Sequence, residues 1–381
     1  MIVAGVMSGT SADGINVALV RFSNRRRRES AKPTLLGHSE YPYSASVRRA
    51  VLGAMNASKA SVADLSRLNF LLGELYAEAV LAAQKKFRAK ADLVGCHGQT
   101  IYHQGVPATY LGRRIAVTWQ TGEGAVVAAR VGVPCVSDFR PADMAAGGKG
   151  APLVPFLDYM LYHNARVGRI VQNIGGIANL TAIPEGAPAS RVTAFDTGPG
   201  NMVIDSVMGR LFGKRFDRDG KVAAVGVVDD DVVAQLMKAP FFREKPPKTA
   251  GREEFGREFV SRFVRLCGRT RKENVVATAT AFTARSIADA VRRFVLRRGS
   301  FQEMVGSGGG TKNPILMAML ANELRDSGVM LRLSDEFGIP SEAKEAVAFA
   351  VLAHETWHRR ASNVPSATGA RRPAVLGKIS F

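Results

Sequence analysis

Cysteine is scarce in this chain. Cys96, Cys135 and Cys267 are its only three and stand far apart, which excludes a disulfide framework and a CxxC zinc pair. No apolar run nears the roughly 20 residues that a membrane-spanning helix needs. The opening, Met1-Ile2-Val3-Ala4-Gly5-Val6, carries no basic n-region, so a cytoplasmic protein is expected, neither secreted nor inserted in a membrane. Acid is short as well: 33 Asp and Glu face 52 Lys and Arg, a formal charge of +19. That balance favours anionic ligands. The basic residues fall in separate clusters, Arg25 to Arg28, Arg292-Arg293, Arg297-Arg298 and Arg371-Arg372, with no RNA-binding aromatic signature or zinc-finger spacing beside them. A solvated basic surface follows, and nucleic acid is not an expected partner. A Walker A motif and a GxGxxG between strand and helix are also missing.

What is present is an ordinary globular composition, 46% apolar and 22% charged over 381 residues. At about 150 residues per domain, that length predicts two lobes and a cleft between them. Ile2 to Val6 and Ile15 to Phe22 read as paired strands. Ser61 caps a helix with Leu65, Leu68, Leu72, Leu75 and Ala79 on one stripe. Strands are expected at Leu93 to Cys96, Ile115 to Trp119 and Pro134 to Ser137, with a helix at Gly124 to Val131. A second series follows, with strands at Arg169 to Gln172, Leu180 to Ile183, Val192 to Phe195 and Glu303 to Gly306, and it repeats the plan of the first. The expected division is an N-terminal α/β lobe at 1–138, shared with part of the C-terminal tail, a C-terminal α/β lobe at 139–359, and a tail at 360–381 packing on a lobe. Ser341 is the expected cap of a helix over Glu342 to His358.

Three glycine-rich turns far apart in the chain each follow a short apolar run: Gly9-Thr10-Ser11-Ala12-Asp13-Gly14, Asp196-Thr197-Gly198-Pro199-Gly200-Asn201 and Gly306-Ser307-Gly308-Gly309-Gly310. Glycine lets backbone amides come close to phosphate, and hydroxyls add donors. Together the turns suggest one nucleotide site. Gly9, Thr10, Ser11, Ala12, Gly14, Ile15, Asn16 and Gly198 are assigned to the phosphates, with Asp13 also holding hydrated magnesium through water. Gly308, Gly309 and Gly310 offer a wall without side chains to a base or ribose, and Asn313 a hydrogen bond to it. Asp196, at a strand end, is the candidate general base, against the plainer reading of a turn cap. Arg140 and Asp143 either bind an acidic or hydroxylated substrate or form a structural salt bridge.

Several longer runs extend these turns: Val6 to Gly14, His97-Gly98-Gln99-Thr100, Asp138-Phe139-Arg140, Gly150 to Pro155, Asn173 to Leu180, Phe195 to Asn201, Gly251-Arg252-Glu253, Lys344 to Phe349 and Pro365 to Ala370. In them the chain resembles the anhydro-N-acetylmuramic acid kinase family over nearly its whole length. The resemblance implies an α/β, two-lobed sugar-kinase and actin-like (ribonuclease H-like) fold with an interlobe cleft. It also implies ATP and Mg2+ and a cytoplasmic homodimer that recycles bacterial cell-wall sugar. In the implied reaction Asp196 activates water for attack at the anomeric carbon of 1,6-anhydro-N-acetylmuramate, and the freed O6 takes the γ-phosphoryl group to give N-acetylmuramate 6-phosphate. Arg140, matched by its motif, is the implied substrate contact. The chain departs from the family pattern at Asn16, where Asp is usual, at Glu123 for Asp, and at Lys149 for a neutral residue. A levoglucosan-type anhydrosugar kinase and a non-catalytic nucleotide or muropeptide sensor are the competing readings.

Overall fold

The computed structural model describes residues 1–23 and 33–381, with the side chain of Arg252 also left undescribed. The Arg25 to Arg28 cluster therefore lies outside the described residues. Twelve strands are present among those residues: β1 (Ile2–Ser8), β2 (Gly14–Phe22), β3 (Pro33–Pro42), β4 (Leu93–Tyr110), β5 (Arg113–Thr121), β6 (Cys135–Ser137), β7 (Arg169–Ile174), β8 (Ile177–Ile183), β9 (Thr193–Pro199), β10 (Glu303–Ser307), β11 (Met330–Leu333) and β12 (Lys378–Ser380). The chain divides into two compact units, Met1–Leu161 with Gly338–Phe381, and Tyr162–Phe337.

Each unit is built on one mixed sheet, and the two sheets share a plan. In the first, the order β6-β4-β1-β2-β3 joins two parallel pairings to an antiparallel meander. In the second, β11-β10-β7-β8-β9 does the same in the same sequence of directions. The repeat expected from the strand series is thus present strand for strand. The first sheet gains β12 antiparallel to β6 and β5 antiparallel to β4.

Local sequence explains the covering helices. Helix Val62–Phe87 starts where Ser61 accepts a hydrogen bond from the Asp64 N–H, and it buries Leu68, Leu72, Tyr76, Ala79 and Val80 against the first sheet. Helix Lys344–Trp357 covers the sheet's other face. It comes close because Gly5 and Gly95 lack side chains: a Cβ on Gly5 would stand 1.8 Å from the Ala346 carbonyl oxygen, and one on Gly95 2.3 Å from that of Phe349. Its alanines, Ala346, Ala350 and Ala353, complete the approach and are buried.

Two expectations need correction. The division falls after Leu161 rather than near Phe139, and residues 338–359 belong with the first unit. The reason is packing at long sequence separation, since helix Lys344–Trp357 is buried on β1 and β4. The buried Asp143 carboxylate also holds Asn363 Nδ2 and Thr368 Oγ1, each at 2.7 Å, which ties the region after Phe139 to the tail. The helix itself begins at Lys344 with Ala343 as its cap, and Ser341 contributes only its backbone carbonyl to the Lys344 N–H.

The end of that helix is fixed by a fork. Arg360 donates Nε to Glu355 Oε2 and Nη2 to Oε1, both at 2.6 Å, and His354 Nδ1 lies 3.0 Å from Oε1. Burial opposes the charge of Glu355, but these partners outweigh it and bring the carboxyl down from 4.5 to about 2. Its folded value lies below its unfolded one, so its stabilisation is complete above pH 4.5 and fades as pH falls toward about 2. Glu355→Gln should cost about 1–2 kcal/mol at neutral pH. Urea unfolding of the two proteins should give curves that are separated at pH 7 and converge in that acid window.

Candidate active site

Asp196 is the middle residue of β9 rather than at its end as expected, and it sits at an irregularity in the pairing with β8. Ala178 pairs with Gly198 and Asn179 with Asp196, so Thr197 is an extra residue on one strand. Such a bulge re-aims neighbouring side chains. Thr197 is held inward by its Oγ1–H donating to Ala178 O at 3.1 Å. The half-buried Asp196 carboxylate takes a 2.7 Å hydrogen bond from the Ala250 N–H on Oδ2. Its Oδ1 takes none from the described residues. Burial, as the largest influence, raises the carboxyl to about 6; the Ala250 N–H and Lys248 pull it down and Glu254 adds to the rise. It is ionised at neutral pH and near enough to neutrality to accept and return a proton.

The β7–β8 turn, Gly175-Gly176, joins this carboxylate to the triple glycine. On one side the Gly200 N–H bonds Gly176 O at 2.9 Å and the Asn201 N–H bonds Gly175 O at 2.7 Å. On the other, Gly310 packs so tightly on Ile174 that a Cβ there would sit 2.3 Å from its Cγ2, and Gly308 adopts φ +88° against Asn173 and Ile174. Gly309 differs, since a Cβ placed there would find nothing nearer than Asn201 Nδ2 at 3.8 Å. Asp196, Gly198 and Gly308 to Gly310 therefore share one neighbourhood in the second unit. Asn313 Oδ1 caps helix Pro314–Leu324, accepting from the Ile315 and Leu316 N–H groups, so the expected hydrogen bond to a ligand falls to its Nδ2.

In the first unit, Gly9 to Asp13 form the tip of the β1–β2 hairpin, and Gly14, Ile15 and Asn16 open β2. Thr10, Ser11 and Asp13 are exposed there, whereas Ala12 and Ile15 are buried in the core and have only backbone groups to offer. Ala12 sits at φ +51° and its N–H closes the turn onto Gly9 O at 3.1 Å. Below the tip, buried Ser8 Oγ donates to Gln99 Oε1 at 2.7 Å and Gln99 Nε2 donates to Gly9 O at 3.2 Å. Asp13 pairs with Arg48 at 3.4 Å. Asn16 Oδ1 accepts from His38 Nε2 at 3.0 Å, so the departure from Asp gives His38 a neutral partner.

Strand β4 also connects the turn to Arg140, because His97 stands two residues before Gln99. Buried His97 uses Nδ1–H toward Gly98 O at 2.7 Å, which leaves Nε2 to accept from Arg140 Nε at 3.1 Å. Burial, then Arg140, holds the imidazole well below its usual range, so it is neutral. Arg140 Nη1 donates to Gly150 O at 2.8 Å, and the Gly150 N–H donates to Asp143 Oδ2 at the same distance. The two residues thus grip the peptide groups on either side of Gly150 and form no salt bridge with each other. Burial lowers Arg140 to about 10, with Glu345 countering; it remains a cation at neutral pH, with its Nη2 free of protein acceptors among the described residues.

Sequence reasoning missed His97 as the partner of Arg140, and it missed the Ala250 N–H. The first was marked by the His97-Gly98-Gln99-Thr100 run. The second had only the adjoining Gly251-Arg252-Glu253 run as a signal. Among the described residues no group of three His, Cys, Asp or Glu is placed to hold a metal ion, and no helix is long and apolar enough to cross a membrane.

A family model described as anhydro-N-acetylmuramic acid kinase matches residues 1–381. The chain is 44% identical to the protein of that name from Bacillus cereus (strain Q1) and to that from Bacillus thuringiensis subsp. konkukian (strain 97-27), in both over 100% of this chain and 99% of the relative. Among solved structures, it is similar at TM-score 0.45 and 11% identity to (R)-2-hydroxyglutaryl-CoA dehydratase component A from Acidaminococcus fermentans, over 93% of this chain and 98% of that one. A likeness at that level carries no functional argument.

The glycine wall can be tested by comparing neighbours. Gly309→Ala makes no closer contact than 3.8 Å to Asn201 Nδ2 and should leave the melting temperature within about 2 °C while weakening ATP binding several-fold, as read by calorimetry. Gly310→Ala drives a methyl into Ile174 and should instead destabilise the fold by about 1–3 kcal/mol.

Proposed function

The chain belongs to the anhydro-N-acetylmuramic acid kinase family, and on that premise we propose that it uses ATP to open and phosphorylate 1,6-anhydro-N-acetylmuramate in cell-wall recycling. The observation that carries the mechanism is Asp196, with Oδ2 tied to the Ala250 N–H and its carboxyl raised to about 6. Oδ1 takes a proton from water, and the water oxygen bonds to the anomeric carbon. The bond from that carbon to O6 breaks, and O6 accepts the γ-phosphoryl group while ADP leaves. One water and one ATP are consumed, N-acetylmuramate 6-phosphate and ADP are formed, and Asp196 gives its proton up to solvent.

Gly9, Thr10, Ser11, Ala12, Asp13, Gly14, Ile15, Asn16 and Gly198 serve the phosphates, the buried members through their backbone. Gly308, Gly309 and Gly310 serve the nucleoside. Arg140, a half-buried cation with donor capacity to spare, suits the lactyl carboxylate of the sugar. A neutral anhydrosugar such as levoglucosan has no such group. Asp13 is a single exposed carboxylate beside Arg48, a donor set that fits Mg2+ keeping its water shell and held mainly by phosphates. When bound, that ion neutralises charge on the transferring phosphoryl group. Three free, buried cysteines support a reducing cytoplasm, and the family resemblance supports a homodimer.

Asp196→Asn should lower turnover by about 10²–10⁴-fold while leaving ATP binding intact. In the wild type, kcat/KM should fall tenfold per pH unit below about pH 6, where the carboxylate protonates. Wild-type turnover in the variant, or an acid limb near the ordinary carboxylate range of about pH 4, would remove Asp196 from the role of base.

A further inference from the structure

Asp196 is held by a segment with no helix or strand of its own. Residues 244–250 follow the short helix Pro240–Arg243 and form neither, yet they make two contacts with Asp196. The Asp196 N–H bonds Lys248 O at 3.1 Å, and the Ala250 N–H bonds Asp196 Oδ2 at 2.7 Å. What fixes this segment is the Lys248 side chain. It is 4% exposed, its Nζ donates to Phe241 O at 2.9 Å, and the ammonium lies 4.3 Å from the centre of the Phe241 ring and 5.0 Å from that of Phe294. An aromatic pair with one carbonyl makes a cation box.

A buried ammonium is costly, and an aliphatic side chain would fill this space without that cost. The charge therefore calls for a use, and the group it serves is two residues away. We propose that Lys248 is a positioning residue for the proposed base: its boxed ammonium pins the 248–250 backbone to β9, so that the Ala250 N–H holds Oδ2 and Oδ1 stays open to water. The proposal rests on the base assignment above. The other charges around the pair are Glu254 toward Asp196, and Glu244, Asp289 and Arg293 toward Lys248. Lys248 lowers the Asp196 carboxyl by its charge, and burial brings Lys248 itself down to about 8.

The test is Lys248→Met, which keeps the stem and removes the charge, with Lys248→Gln as a second neutral variant that can still donate to Phe241 O, and Lys248→Arg as the charge-retaining control. Carbon-13 NMR titration of the Asp196 carboxyl, assigned by its loss in Asp196→Asn, reads the effect without substrate. Both neutral variants should raise its midpoint by about half a unit or more and move the acid limb of kcat/KM with it. At saturating substrate they should also lower kcat about tenfold or more with the KM for ATP unchanged. Lys248→Arg should keep the wild-type midpoint. An unmoved midpoint in the folded neutral variants would overturn the proposal. Absence of wild-type turnover on the muramyl sugar would strike the assigned reaction instead, and the titration would still decide the role of Lys248.

Discussion

A carboxylate that is to draw a proton from water must be withdrawn from bulk solvent and still be charged, and one hydrogen bond reconciles the two at Asp196. Burial pushes the carboxyl up; the 2.7 Å bond from the Ala250 N–H pulls it back and stops it at about 6. The bulge at Thr197 turns the side chain off the regular pleat of β9, and the irregular segment after Pro240–Arg243 supplies the donor. Moving either would leave a carboxylate too acidic to accept a proton or too buried to hold its charge.

The surrounding architecture keeps those few atoms in place by close backbone contact. In the second unit, glycines at 175, 176, 200, 308 and 310 let three turns pack closely, so the triple glycine, the β7–β8 turn and the Asp196 turn lie side by side. In the first unit, Gly5 and Gly95 seat helix Lys344–Trp357 directly on β1 and β4, the two strands that carry Ser8, His97 and Gln99. The same strand order serves both units, and it places a turn at the carboxyl ends of β1 and β10, where open α/β sheets offer their ligand positions.

Strands and turns were legible in the sequence because their signals are local. Apolar runs such as Ile2 to Val6 lead into a glycine turn, here at Gly9, and Ser61 stands one residue before its helix. The lobe boundary was not legible, since it depends on Gly5 meeting Ala346 and on Asp143 meeting Thr368, contacts that no local pattern encodes. Asn313 shows the same limit in the site. Its composition suits a ligand, but Pro314 begins a helix there, and capping the exposed N–H groups takes its carbonyl. The neutral His97 beneath Arg140 and the aromatic box around Lys248 also require the fold, because their partners are distant in sequence or hidden in irregular backbone.

The central claim is that ring opening by water and phosphoryl transfer to O6 occur in one turnover. The most direct measurement is mass-resolved turnover with Mg-ATP and 1,6-anhydro-N-acetylmuramate in ¹⁸O-water. A phosphorylated muramyl sugar carrying one ¹⁸O at the anomeric hydroxyl is the predicted result. A phosphorylated product without the label, or with the anhydro ring intact, would contradict it.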